Sequence, residues 1–398
     1  MILNLIIVLT SALISLPLLV VGIECMVALF ANTKSPTCAD SLSNHITYKV
    51  LIPAHNEAEI LTATLTKLIT ELPDPNPQNI VLIADNCTDN TAKIARSLGV
   101  TVLERHDTGN RGKGFALDFG IRHFVEHGHP DILVIMDADC ETTKAALINL
   151  INSVASQNLP AQMTYLMRTV ENASLKQKIS GFAWLLKNKI RLLAVNKMKL
   201  PVTLTGTGMA FPWQVFDTVK LGHGNIVEDM QLGIDCAIQG FPPVFCPDAL
   251  VYSDFPEHSS AELSQRTRWE HGHLQTIWHQ VPRLIVESYR RKNWRLLALA
   301  LDIGVPPLSL LVLMSMVSLL AFASYLLLTK ATTAFVLLLL SFCYFAAMLI
   351  GVWWRYGQDY LSANELLAIP NYALSKLSIY TAFIFKRQKE WVRTKRDS

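Results

Sequence analysis

Two aspartates one residue apart, Asp137 and Asp139, follow directly on the apolar run Ile132-Leu-Val-Ile-Met136. Such a run reads as a buried strand. In extended backbone side chains two apart point the same way, so both lie on one side, about 6–7 Å apart along the strand. Hard carboxylate oxygens so placed suit Mg2+ or Mn2+ carrying a diphosphate, because such an ion keeps only one or two protein carboxylates. The same pair is explained equally well by one aspartate capping the helix after Glu141 and the other lying in water. Its neighbours in the chain must decide.

Several other groups have the residue types that chemistry needs. Ala54-His55-Asn56-Glu57 follows a strand pattern at residues 48–52, and Asp85 and Asp89 follow another at residues 80–84. Lys113 lies in Gly109-Asn-Arg-Gly-Lys-Gly114, where the glycines let a lysine approach a phosphate or a base; a surface turn explains them as well. With no Ser or Thr after the lysine it is not a Walker motif, and with no Gly-x-Gly-x-x-Gly after the first strand the chain is not a dinucleotide-binding Rossmann domain. Gly206-Thr-Gly-Met-Ala-Phe211 reads as a small-residue turn running into a strand, a place where backbone can approach a ligand closely. Glu228-Asp229 opens a helical pattern that runs to Ile238; alone it is a capping pair favoured by the helix dipole. Gln265-Arg266-Thr-Arg268-Trp269 joins two planar guanidinium forks, suited to diphosphate oxygens, with an indole face suited to a sugar ring. A basic helix on a membrane surface would carry the same residues.

The elements that must position these groups alternate. Strand patterns at residues 48–52, 80–84, 100–103 and 132–136 are separated by helical patterns at 58–72, 91–98 and 113–126. That order predicts an α/β fold with a mostly parallel sheet covered on both faces. Ligands of such sheets bind beyond the carboxyl ends of the strands. Three successive strand ends here carry His55/Asn56/Glu57, Asp85/Asp89 and Asp137/Asp139, which is the trace a nucleotide site leaves.

The chain has 398 residues, 51% of them hydrophobic and 17% charged, and a mean hydropathy of +0.30. This is too apolar for an ordinary soluble enzyme. The apolar residues gather at the two ends, so a globular domain at residues 46–295 is expected between an N-terminal membrane helix at 1–31 and a membrane hairpin at 296–354. The span after Asp302 and Pro306-Pro307 should begin near Val305, and Glu24, the odd residue of the first span, should face another helix. Residues 362–385, broken at Pro370 and carrying Lys376, read as an interfacial helix before a basic tail that runs to 398. The basic flanks 289–295 and 386–396 place both on the cytoplasmic side, with the N-terminus outside. A net charge of +3 gives no reason to expect a nucleic-acid partner, and seven cysteines without Cys-x-x-Cys spacing suit a reducing compartment without structural zinc.

Taken in order, Asp137-Ala-Asp139, Glu228-Asp229 and Gln265-Arg-Thr-Arg-Trp269, flanked by apolar helices, resemble the membrane-integrated family 2 glycosyltransferases, the group of cellulose, hyaluronan, chitin and poly-N-acetylglucosamine synthases. The resemblance spans nearly the whole chain. It implies a nucleotide-diphospho-sugar transferase fold of the A type and a bacterial cytoplasmic-membrane enzyme. It implies that Asp139, with Asp137, binds Mg2+ or Mn2+, that Asp229 is the base of an inverting transfer, and that Ala54, His55, Asn56, Glu57, Asp85 and Lys113 hold the nucleotide of a UDP-sugar. Glu228 and Gln265 belong to the substrate site, Arg266 and Arg268 oppose the departing diphosphate, and Trp269 stacks on the acceptor. The implied acceptor is a growing cell-surface polysaccharide. Three spans are few for threading a polymer, so a homo-oligomer or an assembly partner would complete the path; otherwise one sugar goes to a polyprenyl- or other lipid-linked acceptor. An inactive nucleotide-binding scaffold is the remaining reading.

Overall fold

The computed structural model describes residues 2–31, 41–42, 45–168, 173–222, 227–255 and 259–385. The basic tail expected at 386–398 lies outside the described residues. In chain order the elements are α1 (Ile2–Phe30), β1 (Tyr48–Ala54), α2 (Ala58–Glu71), β2 (Ile80–Asp85), α3 (Thr91–Ser97), β3 (Thr101–Arg105), α4 (Lys113–His127), β4 (Ile132–Ile135), β5 (Glu141–Thr142), α5 (Lys144–Gln157) and β6 (Ala161–Arg168). There follow α6 (Leu175–Leu185), α7 (Leu192–Lys197), β7 (Met209–Pro212), α8 (Glu228–Ile238), β8 (Val244–Asp254), α9 (Ser259–Arg290), α10 (Trp294–Ile303), α11 (Leu308–Thr329), α12 (Thr333–Val352), α13 (Ala363–Leu366), α14 (Ile369–Ser375) and α15 (Leu377–Phe385).

They fall into two units, and the division is not the contiguous one expected from composition. One unit takes residues 33–168 and 200–266; the other takes 1–32, 169–199 and 267–388. Residues 169–199 and 267–295 thus group with the apolar helices.

The first unit is built on an eight-stranded sheet of order β3-β2-β1-β4-β7-β6-β8-β5. β3, β2, β1 and β4 run parallel, β7 is antiparallel to both its neighbours, and β6 pairs β8 in parallel. The central strands are aliphatic on both faces, as burial under helices requires; every residue of β2 and β4 is buried. α4 lies close on the sheet: a Cβ added to Gly120 would stand 2.8 Å from Leu51 Cδ1. Around it Leu51, Ile83, Leu117, Ile121, Leu133 and Phe211 form part of one apolar core. Local signals set the boundaries of α5, which begins where Thr143 accepts the Ala146 N–H at 3.3 Å and ends at Asn158 in the left-handed region, φ 51°.

In the second unit three helical stretches, Ile2–Phe30, Leu308–Thr329 and Thr333–Gly357, are long and apolar enough to cross a membrane. The break expected at Pro306-Pro307 separates α10 from α11. Glu24 does face another helix: its Oε2 accepts from Arg191 Nε at 2.6 Å, and Arg191 also donates to Asp302 Oδ1 at 2.5 Å, with all three residues buried. The single interfacial helix expected at 362–385 is instead three short ones, α13 to α15. Pro370 starts α14 because its ring fixes φ and removes a donor the first turn does not need, and Lys376 divides α14 from α15.

Candidate active site

The carboxyl ends of β1 and β2 are tied together. His55 Nδ1 lies 2.6 Å from the Asp85 carbonyl oxygen. Asn56, at φ 56°, accepts the Thr88 N–H at 2.7 Å and donates to Thr88 Oγ1 at 3.1 Å. Glu57 and Ala58 give their N–H groups to Thr91 Oγ1 at 2.8 Å and Asp89 Oδ2 at 3.1 Å, so Asp89 anchors the start of α2. Asp85 is buried, and Arg105, at the end of β3, donates to its Oδ1 at 2.6 Å while Asn86 donates to the same oxygen at 2.9 Å. Burial pushes the Asp85 carboxyl up from its ordinary value, against the pull of the guanidinium. Arg105 also reaches Asp107 Oδ2 and the Asn110 carbonyl, each at 2.8 Å, which fastens the glycine-containing loop to the end of β3.

The aspartate pair is not on a strand. β4 ends at Ile135, and the chain turns between Asp137 and Cys140, whose N–H donates to the Asp137 carbonyl at 3.2 Å. The extended geometry expected for Asp137 and Asp139 is therefore corrected: the turn, not strand alternation, brings them together. One oxygen from each carboxylate and the Cys140 sulfur all lie within 4.8 Å of one another. Two carboxylate oxygens fit a hard cation such as Mg2+ or Mn2+, whereas the thiol is a soft donor that such ions do not choose. Asp139 has modest polar neighbours, Ser253 Oγ at 3.4 Å and Cys140 Sγ at 3.5 Å.

Asp137 has a stronger one. Lys113, first residue of α4, places its ammonium 2.5 Å from Asp137 Oδ1, 2.7 Å from the Gly206 carbonyl and 4.0 Å from Glu228 Oε1. Thr207 Oγ1 accepts the Asp137 N–H at 3.0 Å. Burial alone would lower the lysine, but the Asp137 and Glu228 carboxylates outweigh it and hold the ammonium above its ordinary range. Burial, together with the neighbouring Asp229 charge, pushes Glu228 up to about 7 against the pull of Lys113.

Gly206 closes this cluster from the side. Its φ is +95°, and a Cβ there would stand 3.3 Å from Asp229 Oδ2 and 3.7 Å from Lys113 Nζ. The small-residue turn singled out in the sequence thus approaches the carboxylate at the start of α8, not solvent. In the sheet-bearing unit Lys113, Asp137, Glu228 and Asp229 therefore share one locality, with Asp139 beside them.

Gln265, Arg266, Arg268 and Trp269 lie within little more than one turn of α9, with Arg266 buried and the other three partly buried. Arg268 and Trp269 belong to the second unit. There the Trp269 ring lies against Trp184 of α6, with centroids 4.9 Å apart and planes tilted by 41°. Sequence reasoning missed Trp184, Arg105 and the Thr207 hydroxyl on Asp137; each acts across a separation that leaves no local spacing to read.

A family model described as glycosyltransferase like family 2 matches residues 45–272. Among curated proteins, the probable glycosyltransferase YdaM of Bacillus subtilis is 24% identical over 260 residues, covering 62% of this chain and 59% of the relative. The 4,4'-diaponeurosporenoate glycosyltransferase of Staphylococcus aureus (strain USA300) is 30% identical over 132 residues, 33% of this chain and 34% of that protein. The chain therefore spans less than two thirds of the length of either relative. Among solved structures, a mannosyltransferase from Pyrobaculum calidifontis in complex with GDP-Man and Mn2+ shares the fold, with a TM-score of 0.54 at 18% identity over 89% of this chain and 99% of that one.

Proposed function

The chain belongs to the glycosyltransferase-like family 2, and from that premise we propose that it is an inverting, metal-dependent transferase that moves a sugar from a nucleoside diphosphate, in first place UDP, to an acceptor hydroxyl at a membrane face. The observation that carries this reading is the meeting of Lys113, Asp137 and Asp229 around Gly206. A general base must stand beside the group that binds the diphosphate, because the hydroxyl it deprotonates attacks the carbon bonded to that diphosphate. Asp229 takes the acceptor proton, the freed oxygen bonds to the anomeric carbon, and the carbon–diphosphate bond breaks with its electron pair leaving on the nucleotide. One displacement inverts the anomeric centre.

Asp139 and Asp137 would hold a Mg2+ or Mn2+ ion, whose positive charge would offset that of the diphosphate oxygens. Lys113 divides its charge between Asp137 and Glu228, so it steadies both carboxylates. Asp85, in the Arg105 clasp, and the Ala54 to Glu57 loop form the nucleotide side. Arg266 and Arg268 oppose charge on the leaving group, Glu228 and Gln265 line the substrate site, and Trp269 offers a face to the acceptor sugar.

For the acceptor, a growing surface polysaccharide is the first reading. The relative named for 4,4'-diaponeurosporenoate, together with only three helices long enough to span among the described residues, favours a second reading of one sugar added to an apolar acceptor. The orientation that goes with either has the N-terminus outside and the sheet-bearing unit, with residues 46–295, on the cytoplasmic side of a bacterial inner membrane. To test the reading, the whole chain in lipid nanodiscs receives a panel of labelled nucleotide sugars, Mn2+ and a lipid extract. Release of nucleoside diphosphate is expected from one donor, with kcat in Asp229→Asn reduced ~10²–10⁴-fold. A product ladder supports the polymer, a single lipid-linked product the second reading, and an Asp229→Asn enzyme as fast as its parent removes the base assignment.

A further inference from the structure

The turn of α9 that carries Arg268 and Trp269 is held by contacts within the second unit. Glu270, the next residue, is buried and forms an ion pair with Lys376, the residue between α14 and α15; their side chains are 10% and 12% exposed. His271 Nε2 lies 2.9 Å from the Ile379 carbonyl. One helical turn before Lys376, the Tyr372 hydroxyl is 3.0 Å from Ser180 Oγ on α6, and the Lys376 ammonium stands 5.0 Å from the centre of the Tyr372 ring. One turn after Ser180 comes Trp184, the residue that packs on Trp269.

These contacts close a ring within the second unit: Trp269 to Trp184, along α6 to Ser180, across to Tyr372, along α14 to Lys376, and back to Glu270. Successive residues of a helix point about 100° apart, so Trp269 and Glu270 grip α9 on two sides and together fix its rotation about its axis. That rotation decides where Arg268 and the indole face point. Glu270 Oε2 and the Tyr380 hydroxyl are both buried, and the hydroxyl lies beside the Glu270 carboxylate.

We propose that Lys376 is a positioning residue for the transfer, acting through Glu270 to set the angular placement of Arg268 and Trp269. The inference rests on the reading that these two residues serve the transfer. It requires Lys376 to touch neither donor nor acceptor; its effect belongs in turnover and not in donor affinity.

The test uses the full chain in nanodiscs, with Lys376→Met, Lys376→Arg, and the exchanged pair Lys376→Glu with Glu270→Lys. Lys376→Met is expected to lower kcat ~10-fold or more with donor KM within about 2-fold of the parent, as misorientation without lost contact should. The exchanged pair is expected to recover most of that loss, and Lys376→Arg part of it. Hydrogen exchange of amides 265–272 gives a readout without substrate: it should quicken in Lys376→Met and return towards the parent in the exchanged pair. A Lys376→Met protein with parental kcat and parental exchange overturns the inference. If Lys376→Met fails to fold, the exchanged pair decides, and a folded exchanged pair with kcat and exchange no different from the parent supports it, whereas a folded pair with turnover still depressed overturns it. If the parent itself releases no nucleotide, the proposed function fails while the exchange measurement still judges the positioning of the turn.

Discussion

The Lys113 ammonium stands 2.5 Å from Asp137 Oδ1, so the first residue of α4 neutralises one member of the aspartate pair before any ligand arrives. It also sits 4.0 Å from Glu228, which makes one cation common to two carboxylates from different elements. Replacing it by methionine leaves both without that compensation. Because the groups are 17% to 32% exposed, the expected loss of stability is about 1–3 kcal/mol, read from a melt in detergent. Transfer in Lys113→Met should fall by ~10²-fold. Parental turnover would sink the shared-cation account.

Asp139 has the Ser253 hydroxyl at 3.4 Å and the Cys140 thiol at 3.5 Å among its neighbours, and one of its carboxylate oxygens lies within 4.8 Å of one from Asp137. Asp139→Ala is therefore expected to abolish the Mn2+-dependent part of nucleotide binding, with the metal-independent part unchanged. Calorimetric titration of nucleoside diphosphate with and without Mn2+ separates the two. Equal affinity in both proteins in the presence of Mn2+ would remove the metal role from this residue.

Gly206 should not tolerate alanine. Its φ of +95° strains any L side chain, and the new Cβ would stand 3.3 Å from Asp229 Oδ2. A stability loss of about 1–3 kcal/mol is expected from the backbone alone, and kcat should drop as Asp229, the proposed base, is pushed aside. Gly206→Ala with an unchanged melt and unchanged kcat would show that neither the strain nor the contact matters.

Acid should weaken the second unit through His273. Burial, with the Lys187 and Arg191 charges nearby, pushes this imidazole down to about 3, well below the roughly 6.5 of an unfolded chain. A depressed value means that the folded state prefers the neutral ring. The contribution is full above pH 6.5 and is lost as pH falls through 3. Melts at stepped pH should show a slope in this window that a His273→Leu variant lacks, worth on the order of 3–5 kcal/mol across it. A variant whose pH dependence matches the parent would contradict the assignment.

Periodicity made the sheet-bearing unit legible, since β2 and β4 are continuous aliphatic runs, and turn chemistry follows them directly. Local spacing also pointed to the strand ends, with Asp85 closing β2 and Asp137 two residues past β4. The backbone between Asp137 and Asp139 was misread because alternation was extended past Ile135, where a turn takes over. Arg105 gave no signal, being 20 residues from the aspartate it clasps. Residues 362–385 kept their apolar character but not their continuity, since a mid-segment proline and Lys376 restart the helix. Nothing in local spacing ties Glu270 to a lysine 106 residues later.

The pairing of Glu24 with Arg191 and Asp302 constrains how the chain is made. Glu24 lies on the first apolar helix, and its guanidinium partner is 167 residues later in the chain; Asp302 comes 111 residues after that. A chain made from its N-terminus cannot form this ion pair until the strands β1 to β6 have been synthesised. In chain order Arg191 is the first partner available to Glu24, and Asp302 becomes available only 111 residues later. One arginine thus ties the first helix to segments from the middle and the later part of the chain.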